Sequence, residues 1–267
     1  MKIKNWVIIK NSNEIHWIKK ASKLSAKILD DITEYVKPWV STDYLDRLMN
    51  DWILDAGAKS ACIWYHWFPK FTCISLNDTV CHWIPSKWEI LKAWDILNID
   101  VTTIVNGFFW DTSRMYVVWE TTPENYKLIE DAHKAMMIWI EQICPWKTTW
   151  YIWHAIWEFW VKAWYWVVPD YGGHWVGIKF HEEPFIHHIC PKNHWPKMVP
   201  WMVFTVEPMI NLWTHKSKVL SDDWTVKTLD GKNSAQFEHT VLVTEDWYEI
   251  LTKWNMSGDK YKIPTKS

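Results

Sequence analysis

Twenty-six tryptophans stand beside only seven glycines in this chain of 267 residues. Ordinary usage near 7% would supply roughly 19 glycines at this length. The imbalance constrains the fold, because left-handed backbone costs little only without a Cβ and tight turns depend on it. Tryptophan occupies places where turn chemistry asks for a residue with no side chain: Pro38-Trp39 after a helix, Ala93-Trp94-Asp95 ahead of a strand, Asp246-Trp247 between strand-like runs. Most of the tryptophans are therefore expected to be glycines in the protein its organism makes. The expected cause is a UGA codon that the organism reads as glycine and conceptual translation renders as tryptophan. Overpacking costs about 1–3 kcal/mol per site, so a dozen literal tryptophans at such sites would cancel a typical stability of about 5–15 kcal/mol. Recombinant protein carrying all of them is expected to be insoluble or inactive.

Charge excludes some function classes. The formal net charge is −2 and the pI about 6.6, so no global field recruits nucleic acid or anionic lipid. Arg47 and Arg114 are the only arginines, and the lysines around Lys19, Lys20 and Lys23 read as a solvated helix face. Five cysteines (Cys62, Cys73, Cys81, Cys144, Cys190) form no CxxC pair, which fits a reducing, cytoplasmic setting. Met1–Asn13 has no apolar h-region and does not read as a signal peptide. The apolar stretch Trp150–Val168 contains His154, Glu158 and Lys162, which a membrane centre would not readily tolerate, and reads as a helix followed by a strand.

Periodicity predicts a helix over Glu14–Val36, a second one capped by Ser41 or Thr42 and ended by Gly57, a third opened by Thr122-Pro123 and stopped by Pro145, and a fourth over Thr149–Ala163. Strands are expected over Thr72–Leu76, Asp95–Ile104, Met202–Val206, Trp224–Thr228 and Gln236–Val243. Helices and strands interleave without a linker or repeat, so residues 1–267 read as a single α+β domain.

The segment Asp95–Arg114 can be worked out geometrically. Asn106-Gly107 is a type I′ hairpin signal, because that turn needs positive φ at both central residues. Val105 then pairs with Phe108, Thr102 with Asp111 and Asp100 with Ser113. Side chains alternate along a strand, so Asp100, Thr102, Asp111 and Ser113 share one face. Asp100 and Asp111 become diagonal neighbours with Cα atoms roughly 7–8 Å apart. Carboxylates that close repel unless protonated or bridged by cations. A metal site explains them; a solvated hairpin face with two surface aspartates is the other reading.

From Ile9 to Thr252 the residues resemble the type I methionine aminopeptidases. The matching motifs, in order, are VCHWIP (Val80–Pro85), NIDVT (Asn98–Thr102), WDTSR (Trp110–Arg114), GGHWVG (Gly172–Gly177), FHEEP (Phe180–Pro184), FTVEPMI (Phe204–Ile210) and SAQFEHT (Ser234–Thr240). That family has glycine at the positions of Trp83, Trp110 and Trp175. The resemblance implies a pita-bread fold, a pseudo-twofold arrangement with a curved antiparallel sheet flanked by helices. It implies a catalytic domain that removes the initiator methionine from nascent proteins. It also implies five ligands, Asp100, Asp111, His174, Glu207 and Glu238, for two divalent ions such as Mn, Fe, Co or Zn. Glu207 would also shuttle a proton, and His82 and His181 would contact the substrate amide and stabilise the tetrahedral intermediate. Pro208 is expected to keep Glu207 extended on a strand.

A pocket for the methionine side chain would comprise Cys62, Tyr65, Phe68, Cys73, Phe180 and Trp224, since sulfur and aromatic groups suit a thioether. Trp224 is read as a true tryptophan, whereas Trp64 and Trp67, taken literally, are expected to crowd this pocket. His187 and His188 read as loop histidines rather than a second metal tract. The expected partners are the N-termini of nascent polypeptides and the ribosome near its exit tunnel, with no nucleic-acid specificity, no membrane association, and a monomeric state. A proline-specific pita-bread peptidase and a catalytically impaired binding relative are the alternatives. The short stretch before the first helix speaks against the former, and the retained ligand set against the latter.

Overall fold

A computed structural model describes residues 2–4, 7–152, 154–155, 165–187 and 196–255. The hairpin β1 (Lys2–Lys4) and β2 (Val7–Ile9) leads into α1 (Ser12–Ile32), and α2 (Thr42–Asp55) follows. Three short strands come next, β3 (Lys59–Ser60), β4 (Cys73–Leu76) and β5 (Thr79–Cys81), then the long pair β6 (Ile96–Val105) and β7 (Phe108–Val117). Helix α3 (Pro123–Ile140) separates these from β8 (Trp166–Val167), β9 (Gly172–Trp175) and β10 (Glu182–His187). The remainder is strand: β11 (Val203–Val206), β12 (Met209–Asn211), β13 (Ser217–Val219), β14 (Val226–Thr228), β15 (Ser234–Gln236), β16 (His239–Val243) and β17 (Tyr248–Ile250).

Local chemistry accounts for the helix starts. Asn11 closes a capping box with Glu14: its side chain accepts from the Glu14 amide, and Glu14 accepts from the Asn11 amide. Helix α1 therefore begins two residues before the expected Glu14. Ser41 caps α2, and Thr122 caps α3 with Pro123 in the first turn. The far end of α1 differs from expectation for a tertiary reason. Arg114 Nη2 and the Tyr116 hydroxyl both donate to the Leu29 carbonyl at 2.7 Å. The Thr33 amide turns instead to Asp30 O, and the chain continues as a 3₁₀ turn over Thr33–Tyr35. The third helix likewise stops at Ile140, short of Pro145, in successive tight turns through Ile143. Of the expected fourth helix, Thr149 is in a turn, and 150–152 and 154–155 are helical; 153, 156–163 and His188 lie outside the described residues.

The β6–β7 hairpin has the register read from the sequence, with Val105 opposite Phe108, Thr102 opposite Asp111, and Asp100 opposite Ser113. β4 and β3 pair with the other edge of β6, and α1 packs across β6 and β7. A second antiparallel sheet runs in the order β10-β9-β11-β16-β17. Hydrogen bonds stitch the two together: Glu238 N to Ser113 O at 3.0 Å, Thr112 Oγ1 to Glu238 O at 2.8 Å, and Thr240 Oγ1 to Asp111 O at 2.7 Å. The expected strand Gln236–Val243 is in fact two strands with a break at 237–238, and a like break at 207–208 separates β11 from β12. Pro208 has no N–H to offer a ladder, so Glu207 stands just past the end of β11 rather than within a strand. Among the described residues no helix is long and apolar enough to cross a membrane.

The tryptophans meet two fates. Trp39, Trp64, Trp67, Trp94, Trp119, Trp146 and Trp201 adopt positive φ, between 65° and 81°. At about 1–2 kcal/mol each, left-handed backbone at seven bulky residues rivals a typical net stability of about 5–15 kcal/mol. Trp247 does not share this conformation; its amide bonds the Thr244 hydroxyl in an exposed turn. Trp110 and Trp175 are fully buried, and neither indole N–H finds an acceptor.

Candidate active site

The hairpin places Asp100 and Asp111 on one face, and the two strand breaks bring Glu207 and Glu238 to meet them. His174 comes from β9, whose neighbours Gly172 and Gly173 leave no room for a side chain. A Cβ at Gly173 would lie 2.3 Å from the Thr205 carbonyl oxygen, and one at Gly172 would lie 2.4 Å from that of Ile186. The glycines thus let β9 lie tight against β10 and β11, and so fix the depth of His174. Its Nε2 lies 3.4 Å from Asp111 Oδ2 and 3.7 Å from Glu207 Oε1. Ligating atoms of Asp111, His174 and Glu238 lie within 4.8 Å of one another.

All of the candidate residues named from the sequence line one cavity of about 320 Å³: the five acidic and imidazole groups, His82 and His181, and Cys62, Tyr65, Phe68, Cys73, Phe180 and Trp224. Cys62, Phe68 and Cys73 form a small apolar cluster separate from the main core, with Phe180 and Trp224 packed on it. Trp224 meets Phe68 edge-on at 5.1 Å and His82 at 5.8 Å. Tyr65 stacks on His181 at 5.1 Å. Trp64 and Trp67 do not crowd this pocket: they are 70% and 84% exposed and point to solvent. Trp110 and Trp175 face away from Asp111 and His174 as strand alternation requires; Trp110 packs with Ile15, Ile18 and Ala21 of α1, and Trp175 on Phe204 at 4.8 Å.

Several participants escaped the sequence reading. Thr205 Oγ1 accepts from the His174 amide at 2.9 Å and donates to Glu207 Oε1 at 2.7 Å. Gln236 Nε2 donates to Glu207 Oε2 at 3.2 Å, and Thr102 Oγ1 donates to Asp111 Oδ1 at 2.8 Å. Asp170, Tyr171 and Met209 also line the cavity. Thr102 alone had a signal, its shared face with the two aspartates; the others depend on how the sheets are juxtaposed.

Electrostatics set the character of the site. Burial, and then the neighbouring Asp111 carboxylate, push Asp100 well above the usual carboxylate range, and the same two causes act on Glu238. Burial raises Glu207 to about 7. Asp111 goes the other way: burial would raise it, but the hydrogen bond and charge of His174 win and hold it down. His174 is raised in turn, since Asp111 and Glu207 outweigh the cost of burial. Burial lowers His82 to about 4.

These residues fit a hard cation. Asp100 Oδ1 and Glu238 Oε1 are buried with no hydrogen-bond partner, which is costly unless something positive meets them. His174 Nδ1 lies 3.2 Å from the Trp175 carbonyl. A carbonyl only accepts, so a proton belongs on Nδ1; Nε2 faces the carboxylates, and on giving up its own proton to a cation it would present the lone pair that a metal-ligating imidazole requires.

A mixed fold of antiparallel sheets and helices around a buried carboxylate–imidazole cluster defines a metal-dependent hydrolase. Comparison with known proteins bears this out: the profile of metallopeptidase family M24 matches residues 16–245, and the chain belongs to that family. Methionine aminopeptidases are among its relatives. It is 41% identical to the methionine aminopeptidase of Buchnera aphidicola (subspecies Schizaphis graminum) over 259 residues, 97% of each chain. It is also 41% identical to that of Escherichia coli over 247 residues, 92% of this chain and 94% of the other. The crystal structure of methionine aminopeptidase from Rickettsia prowazekii superposes with a TM-score of 0.90 at 41% identity, covering 92% of this chain and all of the other. A prolidase from Pyrococcus furiosus shares the pita-bread fold alone, at 22% identity and a TM-score of 0.75. The activity is therefore that of a metallo-exopeptidase that takes methionine from polypeptide N-termini, and divalent metal binding comes with the family.

Proposed function

We propose that the cavity residues carry the hydrolysis of the first peptide bond, with Asp100, Asp111, His174, Glu207 and Glu238 holding two divalent ions, Mn, Fe, Co or Zn. Such ions, when bound, supply Lewis acidity that activates water and polarises a scissile carbonyl. The chain's own groups do the rest. Glu207 has one oxygen on Thr205 and the other on Gln236, so its carboxylate is aimed as well as buried. It accepts the proton of the attacking water and returns it to the leaving amine. His82 and His181 hydrogen-bond the substrate amide and the oxyanion that follows.

The observation that carries this reading is a sulfur- and aromatic-lined apolar cluster sharing one cavity wall with the carboxylates. A methionine thioether seated between Cys62, Phe68 and Trp224 gains S···aromatic contact and puts its own carbonyl over the acidic floor. The substrates are nascent N-termini in the cytoplasm, met near the ribosome exit tunnel by a monomer made of one catalytic domain. Release of methionine from Met-Gly-Met by protein purified from its source organism tests the assignment. The release should stop with a chelator and return with Mn, Co or Fe, and metal analysis should find two ions per active chain. Equal turnover of Lys-Gly-Met, or indifference to chelation, would refute it.

A further inference from the structure

We propose that Trp39, Trp64, Trp67, Trp94, Trp119, Trp146 and Trp201, together with the buried Trp110 and Trp175, are glycines in the protein as its organism makes it, whereas Trp224 and Trp254 are tryptophans. Twelve residues other than glycine adopt positive φ among those described, and seven of them are tryptophan. Tryptophan is 26 of the chain's 267 residues, yet among the described residues it fills more than half of the non-glycine left-handed positions. The other five are His66, Asn77, His82, Asn106 and Asp223, the residue types that tolerate this conformation. Tryptophan is not among those types. The φ values of the seven, 65° to 81°, bracket those of Gly57, Gly107 and Gly231, 69° to 81°.

Burial gives no compensating reason for an indole at these sites, all of which are 37–86% exposed. Trp39, Trp64, Trp67, Trp94 and Trp119 are 52–86% exposed, in turns where the backbone alone does the work. Trp201 has a partner, donating from its indole to Glu245 at 2.9 Å, but at a site 37% exposed. Trp110 and Trp175 enter on a separate observation: each is fully buried with an indole N–H that no acceptor meets. The contrast lies within the same chain. Trp254 donates its indole N–H to Thr112 at 3.1 Å and lies tilted against His239 with ring centroids 3.8 Å apart, and Trp224 forms a wall of the cavity. Neither has left-handed backbone. Two populations of one residue, separated by backbone and packing, are what results when two codons with different meanings are written with one letter. The gene is then expected to carry UGA at the nine sites and UGG at the two.

Peptide mass spectrometry of the protein from its source organism is the direct test. Each of the nine positions should be lighter by the difference between an indolylmethyl group and a hydrogen, with Trp224 and Trp254 unchanged. Tryptophan at the left-handed positions would overturn the proposal. A second measurement uses two recombinant chains, the printed sequence and one with glycine at all nine sites. The glycine chain should melt at the higher temperature, and Trp254→Gly within it should lower that temperature. A printed chain that melts as high as the glycine chain, or a neutral Trp254→Gly, counts against the assignment.

Discussion

Lys10 and Glu182 form an ion pair with an N···O distance of 2.5 Å and side chains 0% and 1% exposed. The pair ties the end of β2 to the loop that carries Phe180 and His181. Glu182 Oε1 also accepts from the amides of Ile178 and Lys179, at 2.7 and 3.2 Å. Gly177, at φ 146°, makes room for the lysine, whose Cε would lie 2.4 Å from a Cβ there. Replacing Lys10 with Met keeps the stem and removes the charge, stranding a buried carboxylate. Breaking such a pair costs about 3–5 kcal/mol. With a urea m-value of about 2–3 kcal/mol/M, the unfolding midpoint should fall by roughly 1–2 M. Adding Glu182→Gln should recover most of the loss, since the amide oxygen still accepts both backbone N–H groups while the uncompensated charge is gone. The loop should loosen in the single variant, and kcat should fall about tenfold, or about 1.4 kcal/mol, with a smaller change in KM. Urea titrations and steady-state kinetics on both variants decide the matter. A single variant costing under about 1 kcal/mol, or a double variant no better than the single, would show that the pair is not what holds this loop.

Three further outcomes are expected. Glu238→Gln should raise the melting temperature measured in chelator, because it removes a carboxyl group whose ionisation burial, and then the neighbouring Asp111 charge, oppose in the folded chain, while abolishing the stabilisation by added Mn, which for one site at 100 times Kd is about 2.7 kcal/mol. His82, lowered by burial from an ordinary 6.5 to about 4, leaves the unfolded chain binding more protons between those values, so stability should fall as pH drops through that window. His82→Asn, which tolerates the left-handed φ of 58°, should flatten the difference between urea midpoints at about pH 7 and about pH 4.5. Trp224→Ala should raise KM for methionyl peptides about tenfold, since burial against a thioether and S···aromatic contact are together worth about 1–2 kcal/mol; an unchanged KM would remove Trp224 from the pocket.

The hairpin was readable because its information is local. Asn106-Gly107 supplies the turn, and period-two alternation then carries Asp100, Thr102 and Asp111 to one face with no long-range input. The caps at Ser41 and Thr122 are local in the same way, and the Asn11–Glu14 box could have been read too, since its spacing is a known helix start. The excess of tryptophan over glycine was also plain in composition, but not where each side chain goes: Trp64 and Trp67 turn outward, and Trp110 and Trp175 fill the core behind the site.

What the linear chain determined by itself was the chemistry on offer: an apolar hairpin bearing two carboxylates, and motifs that identify the other ligand candidates. Only the tertiary structure decided how those groups meet. Glu207 and Glu238 reach the aspartates because strands break at Pro208 and after Gln236, and because bonds from Thr112, Thr240 and Glu238 lock one sheet against the other. The end of α1 was settled the same way, by Arg114 and Tyr116 taking the Leu29 carbonyl from its own helix. Such contacts join residues far apart in sequence, and the free energy that selects them is realised only when the sheets pack.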